Sequence, residues 1–339
     1  MRLMHRFLLV LCASISTSSQ ACLWDSDTLA TEHSRFPEVV ALMTGLFPRH
    51  SQEYHQWRLQ QKKALVDAGK ATALDYDDLA VSQHKLGDHK AAIATMTVKE
   101  KRMPGIYETY SNLGTFYIYT GELRTAVLWI DRALSVNPNA HFGREKYQRW
   151  LVLWIQETQG NIRSAEEVSA ERMAGFGGAP VGFAAFVARQ EMGGLSPDTK
   201  VPLKFTEEQR KAAIRGVTGM MYFADFDNPI LQEALGDLLS YGRMDTNASQ
   251  LAALCYLHAA AKAATPEEKA RLNALVSLVL RQSHDREPAR LSKVLTTSLA
   301  KGMKHQTEVR AEEMAWLAAG KDATLEFQKK YLQTAKAAN

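Results

Sequence analysis

One spacing recurs in the first half of the chain: the same residue types return after 34 positions. Five residues come back in order, giving the pairs Tyr76 and Tyr110, Leu79 and Leu113, Gly87 and Gly121, Ala92 and Ala126, and Pro104 and Pro138. A 34-residue period with small side chains at fixed offsets is typical of a helix–turn–helix unit, which buries its apolar face only against a stacked neighbour. The spacing therefore predicts an all-α solenoid of stacked helix pairs.

The residues within each unit predict where its helices begin and end. Gly87 and Gly121 lie just past the first helix of each unit, where a glycine adopts the positive φ that ends a helix. Pro104 and Pro138 follow the second helix, which a proline terminates. The predicted helices span 73–85, 89–102, 107–119 and 123–136.

Both units resemble the tetratricopeptide repeat (TPR). The second unit matches the pattern of that family at Tyr110, Leu113, Gly114, Tyr117, Gly121, Glu122, Ala126, Ala133 and Pro138. The first unit departs from it at three positions, with Ala80 for a glycine, Gln83 for an aromatic residue and Lys99 for an alanine. The resemblance covers residues 73–138 and implies a stack that binds a protein or peptide along its concave groove.

Weaker versions of the pattern extend to both sides of the two clear units. We expect N-terminal capping helices over 22–72, a repeat region over 73–192, a linker at 193–205 with two prolines, and degenerate repeats over 206–339. The repeat region contains a third unit, with an insertion at 140–145.

In the C-terminal region the repeat pattern returns with about four extra residues in the turn. Its residues are Leu235, Gly236, Tyr241, Gly242, Ala252, Tyr256 and Ala259. Two further helices are predicted at 287–301 and 305–319, and a closing helix at 322–334.

The first 21 residues resemble a targeting segment. Arg2 and Arg6 give a basic start, an apolar run follows at 7–13, and Ser19-Gln20-Ala21 has the small-x-small pattern of a cleavage site. We therefore expect a signal peptide at 1–21 and an exported protein, either periplasmic or secreted. No later run of about 18 apolar residues predicts an integral membrane segment.

The charge balance gives no electrostatic reason to expect nucleic acid as a partner. The chain has 41 basic and 37 acidic residues, and removal of the signal segment would take away two arginines and no acid. Two cysteines, Cys22 and Cys255, would remain after removal. The sequence leaves three alternatives for Cys22: a disulfide with Cys255, a free thiol, or a lipid anchor, although Ser19-Gln20-Ala21 lacks the large aliphatic residue of lipoprotein signals.

The resemblance implies that the first helix of each unit lines the groove. The residues at the lining offsets, with Asn112 beside them, are Leu74, Asp77, Val81, His84, Lys85, Glu108, Ser111, Asn112, Thr115, Ile118, Tyr119, Tyr147, Trp150, Trp154 and Glu157. Asp77 and Val81 stand where members that capture a peptide carboxylate have Lys and Asn, so we do not expect that clamp. Trp150 and Trp154 either contact a partner or pack between helices.

Motifs of catalysis are missing from the sequence. It contains no Gly-rich phosphate loop ending in Lys-Ser/Thr, no Gly-x-Ser-x-Gly and no His-Glu-x-x-His. We therefore expect a binding protein without catalysis, cofactor or metal. Two alternatives stay open: an enzyme or ligand-binding protein with a site outside the clear repeats, and a surface-anchored structural assembly protein.

Overall fold

The computed structural model describes residues 38–158, 179–241, 246–281 and 287–332. The predicted signal segment, Cys22, and the turn and second helix of the third unit (160–173) lie outside the described residues.

The described residues form an all-α fold without strands. Helices that follow one another in the chain pack side by side, as a helical solenoid requires, which confirms the predicted fold class. The helices are α1 Val39–Met43, α2 Gln52–Asp67, α3 Ala73–Lys85, α4 His89–Arg102, α5 Tyr107–Tyr119, α6 Leu123–Val136, α7 Ala140–Thr158, α8 Gly182–Glu191, α9 Glu207–Phe223, α10 Pro229–Leu239, α11 Thr246–Ala261, α12 Pro266–Leu280, α13 Pro288–Ala318 and α14 Ala323–Phe327, with a π-helical turn at Gln328–Leu332. No helix of this set is long and apolar enough to cross a membrane.

Helices α3 to α6 begin and end where the 34-residue period predicts. The side chain of Thr72 accepts from the backbone N–H of Asp75, whose carboxylate accepts from the N–H of Thr72, so α3 begins at a capping box. Gly114 lies where α5 and α6 come closest, because a Cβ added to it would be 2.6 Å from Cγ1 of Ile130. The glycine therefore permits the helix contact within the second unit.

The same packing rule holds in the C-terminal region. A Cβ added to Gly236 on α10 would lie 2.6 Å from the ring of Tyr256 on α11. Ala252 and Ala259 of α11 are buried, as Ala126 and Ala133 are in the second unit. The predicted degenerate repeat at this place therefore contains a helix pair with the same kind of close contact, while most of its turn (242–245) lies outside the described residues.

The prediction of two helices at 287–301 and 305–319 is wrong, because α13 runs unbroken from Pro288 to Ala318. Gly302, the expected break, lies inside the helix and is buried. A Cβ at this position would be 2.1 Å from the backbone oxygen of Thr44. Gly302 thus serves a close approach of two backbones rather than a helix end.

The two larger apolar cores of the described residues lie at different places in the fold. The small core is formed by α3, α4 and α5 and consists of Tyr76, Ala80, Val81, Ala92, Met96, Leu113 and Phe116. The large core extends from α7 to α13 and also contains Leu42, Met43 and Phe47 from the N-terminal segment. It continues on both sides of the loop that contains the predicted linker 193–205, so this loop joins two parts of one core.

Helix α13, near the C-terminus, packs against the start of α2. Glu313 on α13 is buried; its carboxylate accepts from the backbone N–H of Ser51 at 2.8 Å and contacts Nδ1 of His50 at 2.5 Å. Arg310 on the same helix pairs with Glu53 of α2. Since Ser51 is the N-cap of α2, α13 stabilises the start of α2. Contacts between these two helices join the C-terminal part of the chain to its N-terminal part, and we call them the ring of contacts.

Candidate functional site at the face of α3 and α5

The structure places most of the predicted groove residues in the interior. Eight of the ten strongest candidates are buried: Asp77, His84, Ser111, Asn112, Thr115, Tyr147, Trp150 and Trp154. Glu108 is partly exposed, and Tyr119 keeps 36% of its surface exposed. In this conformation the accessible part of the face is therefore its end at Tyr119.

Asp77 is buried because it has partners on two neighbouring helices. Both of its carboxylate oxygens accept from Nζ of Lys99 at 2.7 Å, and Asn112 donates to one of them at 3.3 Å. Burial raises the pKa of Asp77 to about 7, although the Lys99 ammonium opposes the rise. Asp77, Lys99 and Asn112 thus link α3, α4 and α5 through an internal ion pair and a hydrogen bond.

A second internal contact joins α5 to α7. Nε2 of Gln148 donates to Oγ1 of Thr115 at 2.9 Å, and both side chains are buried. Such a polar pair fixes how the second and third units stack, because an unpaired partner would lose a buried hydrogen bond.

The aromatic residues of the third unit pack between helices. Trp150 and Trp154 belong to the large core, with Trp154 5.4 Å from the ring of Phe183. Tyr147 lies against Gly216 of α9, where an added Cβ would be 2.6 Å from the ring. Of the two alternatives for the tryptophans, the structure favours core packing.

A segment of the chain's own backbone covers part of this end of the face and leaves Tyr119 partly exposed. We name Phe223, Ala224 and Asp225, which are the last residue of α9, its C-cap and the residue after it, the docked segment. Nζ of Lys85 donates to the carbonyl oxygens of Phe223 and Ala224 at 3.0 and 2.7 Å. The guanidinium of Arg144 lies 5.0 Å from the ring centre of Phe223, and Ala224 packs against the small core.

Two histidines and an aromatic residue surround this place. Nδ1 of His84 lies 3.0 Å from Nδ1 of His89, and the ring of His84 lies 4.6 Å from that of Tyr119. Burial lowers the pKa of His84 well below 6.5, and the neighbouring charges of Lys85 and His89 add to the effect. His84 is therefore neutral in the folded protein at neutral pH. Burial and the carboxylate of Asp225 raise the pKa of the Tyr119 hydroxyl.

Arg49 lies on the far side of the docked segment. Its guanidinium is 4.5 Å from the ring centre of Phe226, and Nη1 donates to the carbonyl of Gly45 at 2.7 Å. Burial lowers the pKa of Arg49 to about 10, while Asp225 and Asp227 oppose the change. The two carboxylates thus compensate a largely desolvated cation.

Asp227, two residues beyond the docked segment, anchors the next turn to α11. Its carboxylate contacts Nε2 of His258 at 2.7 Å and Nζ of Lys262 at 2.5 Å. These partners hold its pKa below the usual range against the effect of burial, which acts in the opposite direction. The turn after α9 is therefore tied to the face of α3 and to the C-terminal helices at once.

Among the described residues, no group of three His, Cys, Asp or Glu side chains is placed to hold a metal ion. Cys255 has a free thiol, buried 3.8 Å from Sδ of Met43, and burial raises the pKa of that thiol. Its pairing with Cys22, which lies outside the described residues, stays a prediction.

The chain matches no family model, no curated protein and no solved structure. Lys85 was among the residues predicted to line the groove, but its contact with the docked segment was missed. The two partners are separated by 138 positions, and no periodic pattern connects residues so far apart.

Proposed function

We propose that the chain is an exported, non-catalytic repeat protein of the TPR type that binds a peptide segment of another protein at the end of the face formed by α3 and α5. The TPR-like residues of the first two units and the signal-like residues 1–21 support this proposal.

The contact of Lys85 is the observation that carries the proposal. Its ammonium holds two consecutive main-chain carbonyls of a segment that is only half-buried. These carbonyls belong to the C-terminal end of α9, where the last carbonyl oxygens have no partner within the helix and lysine side chains often donate to them. Lys85 thus donates to main-chain oxygens at this end of the face, and a peptide that offers the same groups is the partner we propose.

Selection from a random peptide display library on the immobilised full chain tests the proposal. Recovered peptides are then titrated against the wild type and the variants Lys85→Met and Tyr119→Ala, with Leu128→Ala as the matched control. Leu128 is 65% exposed and lies on α6, outside the face formed by α3 and α5. We expect each face variant to weaken binding at least about tenfold, equal to about 1.4 kcal/mol, and the control to leave it unchanged.

Two results would contradict the proposal. One is that the library yields no binder to the full chain. The other is that its binders have the same affinity for Lys85→Met, Tyr119→Ala and the wild type.

A further inference from the structure

We propose that the outer face of α13 is the contact surface of a homodimer, in which α13 packs against α13 of a second copy of the chain in the antiparallel direction. The residues concerned lie on a different helix from the peptide site proposed above, so this inference does not depend on that function.

The outer face of α13 carries a repeat of 11 residues. Thr296, Ala300 and Met303 return 11 positions later as threonine, alanine and methionine, and an alanine stands one further period after the second threonine. Because 11 residues make close to three full turns of an α-helix, these positions lie in one row along the helix, about 33 Å long. We name this row the outer stripe; its residues are Thr296, Ala300, Met303, Thr307, Ala311, Met314 and Ala318.

The outer stripe is exposed and carries no charge. All seven of its residues are exposed, Met303 at 72% and Met314 at 46%. The solvent-facing side of a helix ordinarily carries charged residues, and on α13 these lie along one edge of the stripe, at Lys301, Lys304 and Glu308. An uncharged row with two large apolar side chains, bordered by charges, is typical of an interaction surface.

The outer stripe is complementary to itself when two copies run in opposite directions. Its positions are symmetric about Thr307, at 4, 7 and 11 residues to either side. A twofold axis at Thr307 therefore places Met303 of one copy opposite Ala311 of the other, and Met314 opposite Ala300. Each large side chain then faces a small one, as close packing requires. A parallel pair in register would place methionine against methionine and leave a gap at each alanine, so the pattern favours the antiparallel pair.

The charges at the edge of the stripe favour the same arrangement. The side chains of Lys304 and Glu308 are 82% and 58% exposed, and their charged atoms are 4.0 Å apart within one helix. In the antiparallel pair the same edges of the two helices meet, so Lys304 of one copy lies within about 3 Å, along the axis, of the level of Glu308 of the other. Exposed opposite charges add little affinity but help to set the orientation of the partners.

Sedimentation velocity of the full chain over about 1–200 μM tests the dimer. One helix face of this length buries less surface than the roughly 1,600 Å² of a standard interface, so we expect a reversible dimer that forms at micromolar concentrations. The variant Ala311→Glu places a charge opposite Met303 and should weaken dimerisation at least about tenfold. Ala270→Glu, the same change at an exposed alanine of α12, is the matched control and should dimerise like the wild type. Circular dichroism checks that each variant keeps its helicity.

Cross-linking tests the direction of the two helices. In a chain with Cys12→Ser and Cys22→Ser, the variants Ala300→Cys and Met314→Cys are treated with a short bis-maleimide, separately and mixed. Only the mixture should give cross-linked dimers, because in the antiparallel pair position 300 faces position 314 and lies about 21 Å along the axis from its own counterpart.

Three results would overturn the inference. A chain that stays monomeric at every concentration would show that a second copy does not cover the outer stripe. Equal dimerisation of Ala311→Glu and the wild type would place the interface elsewhere, and cross-links formed by Ala300→Cys alone would exclude the antiparallel pair.

Discussion

Lys99 occupies one of the three positions at which the first unit departs from the TPR pattern that it resembles, Asp77 occupies a predicted groove position, and in the structure the two side chains contact each other. Lys99 stands where the TPR pattern has alanine, and Asp77 stands at a groove offset. Their side chains meet at 2.7 Å without exposure to solvent. Removing one partner of a buried ion pair lowers the free energy of unfolding by much more than the intact pair adds to it. The stability of the fold therefore depends on both residues being present together.

A double-mutant cycle measures this dependence. At pH 8, above the raised pKa of Asp77, the single variant Asp77→Asn should lower the free energy of unfolding by about 3–5 kcal/mol, because Lys99 stays buried and charged. Adding Lys99→Met should recover most of the loss, giving a coupling energy above about 2 kcal/mol in urea unfolding. Strictly additive losses would show that the two side chains do not depend on each other.

His84 makes the fold sensitive to acid. Burial lowers the pKa of His84 in the folded protein well below 6.5. Below pH 6.5, His84 is therefore protonated in the unfolded chain but stays neutral in the folded one. Stability linked to His84 is therefore present above pH 6.5 and is lost as the pH falls. In urea unfolding between pH 6.5 and 5, the curve of His84→Gln should be flatter by up to about 1.4 kcal/mol per pH unit. Parallel curves would refute the assignment.

Local residues were predictable from the sequence, and their long-range partners were not. The capping box at Thr72 and the positive φ of Gly87 and Gly121 depend on neighbours within a few positions. The burial of Asp77 depends on Lys99, 22 residues away. An unexpected lysine at 99 and an aspartate at a predicted groove position, one helix apart and opposite in charge, are the signal that could have revealed this pair.

At the scale of one element, α13 shows why a glycine need not end a helix. Glycine costs about 1 kcal/mol relative to alanine within a helix, which favours a break at Gly302 when only the sequence is considered. The backbone of Thr44 lies so close that no side chain fits there. The tertiary contact therefore outweighs the local preference, and the same contact could not be read from the sequence of α13.

The variant Gly302→Ala tests this explanation. Helix propensity alone would stabilise the protein, but we expect a net loss of about 1–3 kcal/mol, because the new methyl group must displace the backbone at Thr44. Lys301→Ala, an exposed change one residue away, serves as control and should stay within about 0.5 kcal/mol of the wild type. A Gly302→Ala protein more stable than the wild type in urea would contradict the close approach.

For the whole molecule, the contact between α13 and α2 makes the two ends depend on each other. In an open solenoid each repeat contacts only its neighbours, so a change at one end leaves the other end unaffected. Here Glu313 and Arg310 of α13 hold residues at the start of α2. We therefore expect the described helices to unfold together rather than repeat by repeat.

Deletion of residues 288–339 tests this dependence by hydrogen exchange. The amides of α2 should lose protection, because Ser51 and His50 lose their partner on α13, while those of α5 and α6 keep most of theirs. Deletion of 328–339 alone is the control and should leave α2 protected. Unchanged exchange in α2 after the longer deletion would mean that the ring of contacts contributes nothing to its stability.

The large core brings together residues that the ribosome synthesises many seconds apart. Sγ of Cys255 contacts Sδ of Met43, 212 positions earlier in the chain. At a synthesis rate of roughly 5–20 residues per second, Met43 leaves the ribosome about 10–40 seconds before Cys255. Until the C-terminal helices are present, Leu42, Met43 and Phe47 lack part of the core that buries them, so a partial chain exposes apolar surface that favours aggregation.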